Sequence, residues 1–182
     1  MKNFISISVL YCLVITVVGQ QEVTTNEDTI YQTRALELHN EYRGKHGATP
    51  LTVKEDLNKR AKQCAEYYLS KMVFDMSCPF KTSSGENLYA MSGSGGRNSS
   101  VMNVNSVTQR AVESWYIKSS TYDFATKKLQ PKAGQFTQMV WKGTREFGFG
   151  VALGNGVAVA IGLYSPPGNV VGHFNENVGS LI

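Results

Sequence analysis

The sequence predicts an α+β layered domain in which three helices precede an antiparallel β-hairpin and stack on it around one core. Three observations carry this. Apolar residues recur at three-and-four spacing over about residues 30–45, 54–74 and 106–119. From Phe147 onward the period changes to two. Between the two alternating runs lies Gly154-Asn155-Gly156, the chemistry of a tight hairpin turn.

The first 19 residues carry one charge, Lys2, ahead of an apolar run from Phe4 to Val18. This is the pattern of a secretory signal peptide cleaved before Gln20. A membrane anchor is disfavoured because Ser6, Ser8 and Thr16 interrupt the run and no basic cluster follows it. Residues 20–29 are polar and aperiodic and read as a flexible tail. A first helix then runs from about Ile30 to Lys45, with Ala35, Leu38 and Tyr42 on one face and Gly47 placed to end it. A second spans about Lys54 to Phe74, its face formed by Leu57, Ala61, Cys64, Ala65, Tyr68 and Leu69. Residues 92–100 are a loop by composition. The third helix, about Ser106 to Ser119, carries Val107, Ala111, Val112 and Trp115. In the hairpin, Phe147, Phe149, Val151 and Leu153 alternate with Gly148, Gly150 and Ala152, and Val157, Val159, Ile161 and Leu163 follow the turn. One bulky and one small face are expected, the small one admitting a helix at close range. Pro166-Pro167-Gly168 ends the sheet.

The chain has 182 residues and a formal net charge of +4, which falls to +3 once Lys2 leaves with the signal peptide. That charge is too mild to point to nucleic acid. Residues 30–182 suit a single domain. Secretion also fits the cysteines: Cys12 leaves with the signal peptide, and Cys64 and Cys78 remain as an even pair in an oxidising compartment. A disulfide and two buried thiols are both open from sequence. Asn98-Ser99-Ser100 is an N-glycosylation sequon.

Several stretches resemble the CAP superfamily of cysteine-rich secretory, venom-allergen and plant pathogenesis-related proteins. They are Ala35 to Arg43 with His46-Gly47, Gly85-Glu86-Asn87-Leu88-Tyr89, Ala111 to Tyr116, Gly134 to Lys142, and Pro166-Pro167-Gly168-Asn169. Their order and spacing match nearly the whole mature chain, most closely the small Golgi-associated plant pathogenesis-related type and venom-allergen-like proteins. The resemblance implies a three-layer α-β-α sandwich with a central antiparallel sheet.

It also implies a site. Complete members set two histidines and two acids around a cleft, where the histidines hold a divalent metal such as zinc. At the corresponding positions this sequence has Met76, Glu86, Lys118 and Gln135. A thioether and an amide are poor zinc ligands. An ammonium about 6 Å from a divalent ion repels it by on the order of 5 kcal/mol at an effective dielectric near 20. No metal or cofactor is therefore expected. Acid–base chemistry suffers too, because neither Met76 nor Gln135 titrates. Two arrangements are open: a Glu86–Lys118 ion pair that takes over the organising role of the metal, or Glu86 held by backbone amides with Lys118 in solvent.

Elsewhere, His39 reads as a packed, hydrogen-bonded residue and His173 as a surface one, and no partner spacing makes His39 and His46 a metal pair. Ser77 lacks a neighbouring base. The expected function is that of a secreted, non-enzymatic binding protein. Its partners would be a lipid such as a sterol or fatty acid, an anionic membrane or glycan surface, or an extracellular protein. Tyr122, Phe124 and Leu129 occupy the loop where the resemblance places an aromatic sterol-contact motif. Lys118, Lys127, Lys128, Lys132, Lys142 and Arg145 face only Asp123 in the segment 118–145. The plain reading of Tyr122 and Phe124 as core, with the lysines as a solvated face, stays open. The alternative function is a hydrolase using a remodelled cleft around Glu86.

Overall fold

A computed structural model describes residues 26–93 and 102–182. The expected signal peptide, residues 20–25 of the expected tail and the Asn98 sequon lie outside the described residues.

Helix α1 is Asn26–Lys45, and so takes in Asn26 to Thr29, which were expected in the tail. Apolar periodicity could not reveal this turn because charge holds it: Glu27 and Asp28 favour a helix N-terminus, and both Asp28 carboxylate oxygens accept from Lys62 Nζ at 2.8 and 2.9 Å. Gly47 follows the helix at φ 63°, a left-handed conformation that glycine adopts without penalty. A two-residue strand, β1 (Thr52–Val53), leads into α2 (Glu55–Lys71). The second helix stops short of Phe74 because Met72 turns left-handed and its N–H closes on the Tyr68 carbonyl.

After α2 come β2 (Gly85–Ser92), α3 (Val104–Tyr116), the short α4 (Gly134–Met139), β3 (Glu146–Gly154), β4 (Val157–Ser165) and one turn of helix, α5 (Phe174–Asn177). The sheet order is β1-β3-β4-β2, antiparallel except for the β1–β3 pair. Helix α2 covers one face of the sheet, with α1, α3 and α4 on the other, giving the expected three layers. No described helix is long and apolar enough to cross a membrane.

The hairpin corrects one expectation. Asn155 and Gly156 both have positive φ, so the turn has two residues and Gly154 pairs with Val157. Odd-numbered β3 residues therefore face even-numbered β4 residues. Phe147, Phe149 and Val151 share the α1/α3 face with Tyr164, Gly162 and Ala160, while Gly148, Gly150 and Ala152 share the α2 face with Leu163, Ile161 and Val159. Each face thus mixes large and small. The glycines still admit a helix: a Cβ on Gly148 would lie 2.2 Å from the Leu57 carbonyl carbon, and one on Gly150 would lie 2.2 Å from Lys62 N.

Beyond the short β1, side chains complete the outer edge of β3. Asn58 Oδ1 accepts from Phe149 N at 2.9 Å, and Gln32 Nε2 donates to Phe149 O at 3.1 Å. Cys64 and Cys78 form a disulfide with Cα atoms 5.5 Å apart, which decides between bridge and thiols. The bridge fixes the middle of α2 to the loop that follows the helix.

Candidate functional site

Of the four positions assigned to the cleft, Glu86 is the most enclosed, with a side chain 1% exposed. In β2 it pairs with Leu163 and so projects to the α2 face, whereas Asn87 pairs with Gly162 and projects to the opposite face. Glu86 Oε2 accepts from Lys81 Nζ at 2.9 Å, and Oε1 is buried with no hydrogen-bond partner. Lys81 also donates to the Met76 carbonyl oxygen. No ion pair links Lys118 to Glu86 among the described residues: the lysine that meets the carboxylate comes from the 3-10 turn Pro79–Lys81, five residues upstream.

Met76 is exposed and left-handed at φ 62°, which turns its carbonyl rather than its thioether toward Lys81. Gln135, on α4, donates from Nε2 to the Leu88 carbonyl at 2.7 Å, and the same oxygen accepts from Trp115 Nε1 at 3.3 Å. Its own carbonyl accepts from Asn87 Nδ2 at 2.9 Å. Lys118 lies half-buried in the 3-10 turn Ile117–Thr121. Among the described residues no hydrogen bond or ion pair joins any two of Met76, Glu86, Lys118 and Gln135. This donor set does not fit a divalent metal: its one carboxylate already holds an ammonium, its amide nitrogen donates rather than coordinates, and its thioether faces solvent.

Beside Glu86 stands Tyr68, whose oxygen accepts from Cys78 N at 2.8 Å. Burial, with a smaller contribution from the Glu86 charge, raises the Tyr68 hydroxyl well above its usual range, while the Cys78 N–H acts the other way. Across the sheet, His39 and Tyr164 form a second buried polar group. His39 Nδ1 donates to Ala35 O at 2.7 Å, so Nε2 is the unprotonated nitrogen that accepts from the Tyr164 hydroxyl at 2.8 Å. Tyr164 also accepts from Asn87 Nδ2 at 3.1 Å. Burial depresses His39 to about 3, with the Ala35 hydrogen bond opposing and Arg43 adding to the effect, so it is a neutral packing residue, as expected. His173 is on the surface, paired with Glu176 at 2.6 Å.

A profile of the Cysteine-rich secretory protein family, CAP, matches residues 36–164, most of the chain. The chain belongs to the CAP family. It is 32% identical over 151 residues to human Golgi-associated plant pathogenesis-related protein 1, covering 81% of this chain and 92% of that protein. It is 40% identical over 76 residues to Protein PRY2 of Saccharomyces cerevisiae, which covers 41% of this chain and only 23% of that protein. A crystal structure of NaASP2 with Zn2+ shares the fold at TM-score 0.64 and 23% identity, covering 88% and 90% of the two chains.

Within this CAP domain the aromatic loop proves to be largely core. Tyr122 is 5% exposed and packs edge-on against Phe124, with ring centroids 4.9 Å apart, and both rings approach Phe136. Leu129 is exposed, as are Lys128 and Lys132, and Lys127 is half-buried. The sequence reading passed over three residues. Lys81 is signalled only by lying midway between Met76 and Glu86. Tyr68 was read as plain core. Arg43 is a charge in phase with the buried stripe of α1: fully buried, it donates to the carbonyls of Thr49, Met139, Trp141 and Thr144 at 2.8–3.2 Å.

Proposed function

We propose that this CAP domain is a secreted, non-enzymatic protein that binds anionic lipid surfaces through the segment 117–132. The observation that carries the reading is the grouping of exposed Ile117 and Leu129 with Lys118, Lys127, Lys128 and Lys132, none of which has a carboxylate partner among the described residues. The 3-10 turns at Ile117–Thr121 and Pro131–Ala133 pack together, so both ends of the segment share one surface. Apolar side chains amid lysines suit the boundary between headgroups and acyl chains, and each lysine near an anionic surface contributes about 1 kcal/mol. With Tyr122 and Phe124 packed inward, a sterol would have to open this loop to reach them.

The test is retention on vesicles of phosphatidylcholine with and without phosphatidylserine at low salt. Binding should require the anionic lipid. Reversing Lys127, Lys128 and Lys132 to Glu should weaken it at least about a hundredfold. Equal retention of the triple variant, or retention on sulfated glycan alone, would displace the proposal. Secretion is tested separately by an N-terminus at Gln20 in the exported protein. A hydrolase reading needs Glu86 free to exchange a proton, and its carboxylate is tied to Lys81 instead. Reproducible turnover abolished by Glu86→Gln would restore that reading.

A further inference from the structure

We infer that the Lys81 ammonium is a tethered replacement for the cleft's cation, binding the loop of residues 72–80 to the sheet and closing Glu86 to metal. The ammonium bridges two elements. One positive nitrogen is shared between Glu86 Oε2 at 2.9 Å and the Met76 carbonyl, which joins the disulfide loop to β2. The backbone is shaped to deliver it. Cys78 is fixed by the disulfide, Pro79 opens a 3-10 turn, and Thr82 reverses at φ 50°. Ser84 N then bonds Lys81 O at 3.1 Å, so the side chain returns toward β2.

The loop needs such an anchor. Met72, Val73, Phe74, Met76 and Phe80 are all exposed, so apolar burial within the loop is confined to Cys78. Its polar ties are the Cys78 N–H on Tyr68 and the Lys81 bridge, and both converge on Glu86. The Tyr68 oxygen accepts from Cys78 and stands beside the Glu86 carboxylate, whose Oε1 is buried without a hydrogen-bond partner. An ammonium fixed by the chain cannot be removed by a chelator or exchanged for another ion. It also cannot polarise a bound water or carbonyl as a divalent metal does.

The experiment measures three quantities on the whole secreted protein: the melting temperature with Zn2+ and with EDTA, Zn2+ binding by calorimetry, and hydrogen exchange of the Cys78 amide. For wild type, the melting temperature should be the same with EDTA, and any Zn2+ binding should persist unchanged in Glu86→Gln. Lys81→Met should speed Cys78 exchange by about tenfold or more, equivalent to about 1.4 kcal/mol. Lys81→Arg should restore most of the protection, and Lys81→Met with Glu86→Gln should exchange more slowly than Lys81→Met alone, since no buried charge is left unpaired. A chelator-sensitive melting temperature, Zn2+ binding lost in Glu86→Gln, or unchanged Cys78 exchange in Lys81→Met would overturn the inference. Should Lys81→Met fail to fold, the wild-type and Glu86→Gln metal measurements and the folding of Lys81→Arg decide it without that variant.

Discussion

Tyr164 donates its hydroxyl proton to His39 Nε2 across 2.8 Å in the layer between α1 and the sheet, so the imidazole has no room to accept a proton from solvent. Folded His39 titrates near 3, below the 6.5 of the free side chain. Between these values the unfolded chain binds the additional proton. Its contribution to stability is therefore complete above about pH 6.5 and is lost as the pH falls toward 3, at up to about 1.4 kcal/mol per pH unit. Urea unfolding of wild type and His39→Gln from pH 7 to pH 4 should show the steeper loss in wild type. Parallel curves would contradict the assignment.

Gly150→Ala should destabilise the fold by about 3 kcal/mol, because the added methyl falls 2.2 Å from the backbone nitrogen of Lys62 and neither helix nor strand can retreat cheaply. Gly44→Ala is the control. Nothing lies within 4 Å of a Cβ there, and the residue is helical, so a gain of about 0.5–1 kcal/mol is expected. Denaturant midpoints of the two variants should move in opposite directions.

Arg43→Met should cost about 3 kcal/mol or more in equilibrium unfolding. The apolar replacement fills similar volume but strands several buried carbonyls that now share one guanidinium. Arg43→Lys should recover only part of the loss, since an ammonium lacks the planar fork that reaches Thr49, Met139, Trp141 and Thr144 together.

Replacing both Cys64 and Cys78 by Ala should lower stability by about 3 kcal/mol, the chain-entropy value for a loop of 14 residues. Proteolysis should then begin within residues 72–80, which calorimetry with mass spectrometry of the first cleavage products would locate.

Period and turn chemistry made the three layers legible: α2 and α3 fall within a few residues of their expected spans, and Gly154-Asn155-Gly156 turns where expected. What they could not show is which face a strand presents once paired. The mixed faces of the hairpin follow from the parity of a two-residue turn, not from either strand alone. Strand β2 was not among the expected elements, since Gly85 to Tyr89 stood out only as a motif of the resemblance and its alternation is weak because its residues are only partly buried. The site was legible as a set of positions and illegible as a set of contacts. Glu86 was singled out as the retained acid, yet its partner depends on a 3-10 turn set by Cys78 and Pro79, and no periodicity signals that Lys81 would reach it in place of Lys118. Tyr122 and Phe124 show the same limit, since an aromatic pair in a loop reads equally as ligand contact or as lining for Phe136.

The side chains of Asn58 and Gln32 on Phe149 have a consequence for self-association. A strand left with an open ladder invites a second chain to pair with it and begin an aggregate. Here the vacant half of β3 is answered by two amides, one from α2 and one from α1. Asn58→Ala with Gln32→Ala should leave the monomer folded but prone to dimerise through this strand at high concentration. Stability toward unfolding and resistance to association would thereby come apart in a single variant.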